Sequence, residues 1–197
     1  MKAPIVSPKS YKYKSKFEEL NDPYFWLREK ENKDVIKYIE EENSYSDELL
    51  SDTKPFQDKL FKELKLRIKE DDNSVPQKDG DYFYYSRMVK GKDYPLFCRK
   101  KGSLEASEEV ILDQNEVAKG HEFCDVAVVE VSKDHRYLAY SADYSGDESY
   151  TVTIKDLETN KVFDERIEGC STSLIWKNSG AGFYYSKLDD NERPTYI

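Results

Sequence analysis

One aromatic, strand-like phrase returns three times along the chain: Tyr82-Phe83-Tyr84-Tyr85-Ser86, Tyr137-Leu138-Ala139-Tyr140-Ser141 and Phe183-Tyr184-Tyr185-Ser186. The serines that close it lie 55 residues (141 − 86) and then 45 residues (186 − 141) apart. A recurrence of about 40–50 residues with room for four short strands in each period is the period of a propeller blade. This constrains the fold severely. A blade cannot bury both faces of its own sheet, so it must be covered by a neighbouring blade.

The stretches between the repeats fit that period. Alternating Tyr-, Val- and Ile-rich runs predict strands at 82–87, 94–100, 109–113, 126–131, 137–141, 150–155, 162–167, 173–176 and 183–188. Turn chemistry separates them: Lys90-Gly91-Lys92-Asp93, Lys101-Gly102, Lys133-Asp134, Ser145-Gly146-Asp147 and Thr159-Asn160. No long helical pattern intervenes, so the reading is an all-β meander. Blades are expected near 80–115, 124–168 and 171–197, the last incomplete. The third strand of that last blade is expected to begin at Pro194-Thr195-Tyr196-Ile197, where the sequence stops. Two and a half blades leave a sheet face and a strand edge uncovered, and such edges self-associate. The chain therefore reads as part of a larger folding unit.

The N-terminal third has a different period. Residues 1–21 read as an irregular arm rich in Lys, Ser and Tyr. Asp22-Pro23 then starts a turn or first helical turn, with Phe25, Trp26 and Leu27 as an apolar anchor. A first helix is expected from about Lys33 to Leu50, with Val35, Ile36, Tyr38 and Ile39 as its apolar stripe. A second begins near Asp52 or Thr53, either of which could cap it, and carries Phe56, Leu60, Phe61, Leu64 and Ile68 at helical spacing. The polar run Glu70 to Val75, closed by Pro76, ends it. Two domains follow: 1–72, arm and helices, and 73–197, the partial propeller.

Charge limits the partners. Acids and bases balance over residues 1–70, so the net charge of −9 falls entirely on the remainder. That β-rich part is a poor match for nucleic acid or an anionic membrane, both of which need a positive face. The N-terminus has no apolar signal segment, and Cys98, Cys124 and Cys170 form neither an even set nor a C-x-x-C pair. A reducing, cytoplasmic setting fits this usage.

Catalytic signals are not found. A nucleophile elbow needs G-x-S-x-G between a strand and a helix; Gly169-Cys170-Ser171 has no second glycine. His121 and Cys124 form an H-x-x-C pair with no second pair to complete a zinc site. His135 follows Lys133-Asp134 in a tight turn and reads as a surface residue. Gly180-Ala181-Gly182 is a hairpin turn, and Asp143 to Glu148 departs from a calcium loop. Trp26 and Trp176 read as packing residues. No catalytic, cofactor-binding or metal-binding residue is assigned, and no cofactor is expected.

Several phrases in fixed order resemble a known family. Asp22-Pro23-Tyr24-Phe25-Trp26-Leu27-Arg28, Tyr38 to Tyr45, and Lys69 to Pro76 followed by Gly80 to Arg87 resemble the prolyl oligopeptidase family of serine peptidases. Gly91 to Lys100, Ile111 to Asn115, Lys155 to Thr159 and Arg193-Pro194 are similar to its oligopeptidase B branch. The resemblance covers residues 17–197 and implies a seven-bladed propeller over the mouth of an α/β-hydrolase domain, with the N-terminal helices wrapping the latter. It also implies cleavage of short peptides after Arg or Lys, by a Ser-His-Asp triad in a hydrolase domain C-terminal to the propeller and absent here. The partners implied are that domain and short basic peptides, with no nucleic acid or membrane. Two other readings stay open: a non-catalytic, protein-binding propeller module, and an inactive remnant of a truncated gene.

Overall fold

The structure is a computed structural model that describes residues 2–180 and 182–196. The chain divides into two compact units, Met1–Ile68 and Lys69–Ile197. Among the described residues, no helix is long and apolar enough to cross a membrane.

The first unit opens with an ordered hairpin in place of the expected irregular arm. β1 (Lys12–Lys14) pairs antiparallel with β2 (Glu19–Asn21). The turn between them closes on Ser15, whose Oγ accepts from the Glu18 N–H at 3.0 Å and donates to its carbonyl at 2.9 Å. Tyr11 stacks on Phe25 with centroids 3.8 Å apart, and the Lys9 N–H donates to the Pro23 carbonyl at 2.8 Å. The hairpin is thereby pinned to a 3-10 turn, Phe25–Arg28, that starts where Asp22 Oδ1 accepts from the Tyr24 N–H. Sequence periodicity misses this hairpin because three-residue strands are too short to show one.

α1 (Lys33–Leu49) is capped by Asn32, whose Oδ1 accepts from the Asp34 N–H at 2.9 Å. Its inward stripe is Val35, Tyr38, Glu42 and Tyr45, at helical spacing. Tyr38 completes it by donating to Glu42 Oε1 at 2.6 Å. Ile36 and Ile39, expected on that stripe, are exposed. A 3-10 turn (Ser51–Thr53) leads to α2 (Lys54–Leu66), with Pro55 in the first turn, where a missing N–H leaves nothing unsatisfied. Thr53 precedes this helix but does not cap it. Its hydroxyl donates to the Leu50 carbonyl at 2.6 Å, and its Oγ1 accepts from Gln57 Nε2.

The second unit is antiparallel sheet. β3 (Gln77–Asp79), β4 (Tyr82–Arg87), β5 (Leu96–Lys101) and β6 (Glu108–Asp113) form a four-stranded blade in sequence order. The innermost strand, β3, is too short and too polar for a period-2 signal to register. It reaches β4 through a two-residue turn, and Gly80 supplies the φ of +53° that this turn needs. A single helical turn, α3 (Gln114–Val117), capped by Asp113, connects to the next blade.

That second blade is β7 (Asp125–Val131), β8 (Tyr137–Asp143), β9 (Tyr150–Asp156) and the first part of β10 (Val162–Trp176). The expected strands at 162–167 and 173–176 are one continuous strand. Residues 162–170 pair with β9, and residues 170–176 pair with β11 (Phe183–Leu188). Register shifts on both sides of Cys170, next to Gly169 at φ +66°, let the strand leave one blade and open the next. β12 (Pro194–Tyr196) pairs with β11 where the third strand of that blade was expected. The Trp176 indole N–H donates to the Glu130 carbonyl at 3.0 Å, so the innermost strands of the second and third blades lie side by side.

The core is shared between blades. Ile111 and Leu112 of the first meet Leu138 and Leu157 of the second, with Tyr84, Phe97, Val129 and Val131 around them. Leu138 is fully buried. Burying one such leucine contributes about 1.5–3 kcal/mol.

Candidate functional site

Two surfaces stand out, one in each unit. The first is the apolar face of α2, continued by Ile68 just beyond its end. Phe56, Phe61, Leu64 and Ile68 are 65%, 66%, 52% and 67% exposed. Large apolar side chains clustered at helical spacing and left in water mark an interaction surface.

The second is a groove of about 490 Å³ at the inner margin of the first two blades. Phe97, Ile111, Val129 and Val131 supply an apolar floor; Ser74, Gln77, Asp79, Ser86 and Glu130 supply a polar rim. The chain reaches this margin because Ser74 and Asp72 continue alongside β4: the Ser74 N–H donates to the Ser86 carbonyl and the Met88 N–H to the Asp72 carbonyl, both at 2.8 Å. Burial raises the Glu130 carboxyl above its ordinary range, opposed by Lys133. The volume and the mixed lining match a small-ligand or peptide-side-chain site.

The ionisable groups nearby are buried or paired. Burial pushes the Cys98 thiol up to about 11, so it is protonated at neutral pH and a poor nucleophile. Arg87 bonds Glu108 through two nitrogens, at 3.0 and 2.8 Å, and holds that carboxyl below its usual range despite burial. Tyr85 donates to the same carboxylate at 2.6 Å.

The residues singled out in the sequence have structural surroundings. Cys170 is buried in the middle of β10, so Gly169-Cys170-Ser171 does not sit at a strand-to-helix turn. His121 stacks on Tyr144 at 3.9 Å, and Cys124 is buried with its carbonyl bonded by Gln114 Nε2. Asp143 is buried and accepts from the backbone N–H groups of Ser145, Gly146 and Glu148, which makes it the organiser of its own turn. His135 departs from the surface reading. Its Nδ1 is 2.9 Å from the Tyr84 hydroxyl on the first blade, a partnership that only the stacking of blades creates. Among the described residues, no group of three or more His, Cys, Asp or Glu side chains is placed to hold a metal ion. The groove was not legible in the sequence either, because its walls come from separate stretches of chain on two blades: 74–86, 97–98, Ile111 and 129–131.

A helical N-terminal unit joined to four-stranded antiparallel blades in sequence order defines the class of the chain as the N-terminal part of a propeller protein. Residues 8–196 match the family described as "Prolyl oligopeptidase, N-terminal beta-propeller domain", and the chain belongs to that family. It is similar to dipeptidyl aminopeptidase BI of Pseudoxanthomonas mexicana, with 37% identity over 87% of this chain and 26% of that protein. Protease 2 of Moraxella lacunata is 32% identical over 100% of this chain and 30% of that protein. Among solved structures, oligopeptidase B from Leishmania major superposes with a TM-score of 0.89 at 30% identity, over 98% of this chain and 30% of that one. The chain thus spans less than a third of the length of these relatives.

Proposed function

We propose that this chain is the helical wrap and the opening blades of an oligopeptidase-B-like serine peptidase that cleaves short peptides after Arg or Lys in the cytoplasm. In this reading the α2 face docks on an α/β-hydrolase domain that carries the Ser-His-Asp triad, and the propeller limits entry to short peptides. The observation that carries it is the pairing of that exposed apolar face with propeller blades, in a chain that follows an oligopeptidase B over nearly its whole length. A propeller that only bound other proteins has no use for such a helix. The acidic balance of the β-rich part favours approach of basic peptides by long-range attraction, and three buried free cysteines suit a reducing compartment.

The test is a chimera in which residues 1–197 replace the matching 30% of Moraxella protease 2. The reading expects cleavage after Arg or Lys in short fluorogenic peptides, with folded proteins of the same composition left intact. A folded chimera that cleaves neither, or that cleaves long unfolded chains as readily as short ones, overturns it. A folded chimera without activity that still retains a partner protein on the propeller favours the binding-module reading.

A further inference from the structure

The seam between the first two blades is crossed by a set of side-chain polar bonds. Arg99, on β5 of the first blade, is 5% exposed. Its Nε and Nη2 donate to the Glu109 carboxylate at 2.7 and 2.9 Å, and its Nη1 crosses to the His135 carbonyl of the second blade at 2.6 Å. The His135 ring points back the other way. It meets the Tyr84 hydroxyl at 2.9 Å and lies 4.9 Å from the Tyr82 ring, over which the Arg99 guanidinium also sits at 4.5 Å. A second crossing bond runs in the opposite sense, from Lys155 Nζ on β9 to the Ile111 carbonyl on β6 at 3.0 Å.

The backbone is fitted to this contact on both sides. His135 holds a φ of +61°, a conformation rarely adopted by a non-glycine residue, within a turn fixed by Ser132 and Asp134. Opposite it, Gly80 leaves room for the ring: a Cβ there would stand 2.6 Å from His135 Nε2. Two positions on different blades are thus each specialised for the same contact.

We propose that His135, Arg99 and Gly80 form a clasp that fuses the first two blades into one rigid body, so that a ring built on them opens at some other seam. A partly buried, charge-assisted bond that crosses a seam must be broken before the seam can part, which makes the opening cooperative. Ordinary apolar seams can slide. The inference rests on the fold alone and stands whether or not the full protein is a peptidase.

Native thiols report on it. Cys98 is buried in the first blade and Cys124 at the start of the second. Maleimide labelling of the 197-residue chain, followed by mass spectrometry and normalised to the rates in denaturant, gives the opening of each blade. The clasp expects Cys98 and Cys124 to open together in the wild type, within about threefold. Arg99→Gln and Gly80→Ala should speed Cys98 by about tenfold or more relative to Cys124, because the first blade then opens alone. Tyr84→Phe removes only a hydroxyl, retains the fold, and should shift the same ratio in the same direction by a smaller factor. Two outcomes overturn the proposal: Cys98 already opening tenfold faster than Cys124 in the wild type, or variants that accelerate both thiols equally. The second would mean that these residues add general stability and do not join the blades.

Discussion

Individual polar residues in this chain hold turns and seams more than they hold chemistry. Asp143 shows how. Burial raises its carboxyl, but the bonds from Ser145, Gly146 and Glu148 outweigh that penalty and leave it below the ordinary aspartate range. A carboxyl with a depressed folded-state value contributes stability that is present above its unfolded value, near pH 4, and that is lost as pH falls through the folded one. The expected result is that Asp143→Asn is clearly less stable than the wild type at pH 7 and that the gap narrows steadily below pH 4. Urea unfolding of both proteins from pH 7 to pH 3 measures it; a gap that stays constant over that range would remove the carboxylate from the account. Gly80 and His135 belong to the same scale. Each holds a positive φ in its own turn, and the missing side chain of Gly80 leaves the space that the His135 ring fills.

At the scale of elements, what starts a helix and what bends a strand are separable. α1 begins at a side-chain cap, Asn32, whereas α2 begins at a turn whose Thr53 hydroxyl is bonded to the Leu50 carbonyl instead of to a free helical N–H. Asn32→Ala should therefore destabilise the first unit by about 1 kcal/mol, while Thr53→Ala should leave the α2 N-terminal amides almost unchanged. Amide hydrogen exchange over residues 33–37 and 54–58 distinguishes the two, and equal effects at both sites would contradict the capping assignment. β10 makes the complementary point. It is one strand by hydrogen bonding and two by function, because Gly169 and the neighbouring shifts redirect it from the edge of one blade to the inner position of the next.

At the scale of the molecule, the unburied apolar surface is the dominant feature. Phe56, Phe61, Leu64 and Ile68 on and beyond α2, and Ile175 and Tyr184 on the third blade, are more exposed than such side chains usually are in a finished monomer. The isolated chain should associate with itself in a concentration-dependent way. Sedimentation velocity from micromolar to hundred-micromolar concentrations tests this. Phe61→Lys with Leu64→Lys should weaken the association without loss of strand signal in circular dichroism, since neither residue is buried. An invariant monomer over that range would mean these faces are not sticky enough to need a partner.

The repeat of Tyr82–Ser86 in Tyr137–Ser141 and Phe183–Ser186 carries the blade architecture in the sequence itself, because a two-residue alternation and a fixed period are local properties of a chain. The helices at 33–49 and 54–66 were legible for the same reason. The hairpin of the arm, the single long β10, the groove and the His135 contact were not. Each depends on which segments distant in sequence become neighbours: Tyr11 with Phe25, Val129 with Phe97, Tyr84 with His135. Periodicity states which face of a strand is apolar. Only the stacking of one blade on another decides what that face meets, and there a turn histidine becomes a seam residue and an ordinary-looking turn glycine becomes one that a Cβ would disrupt.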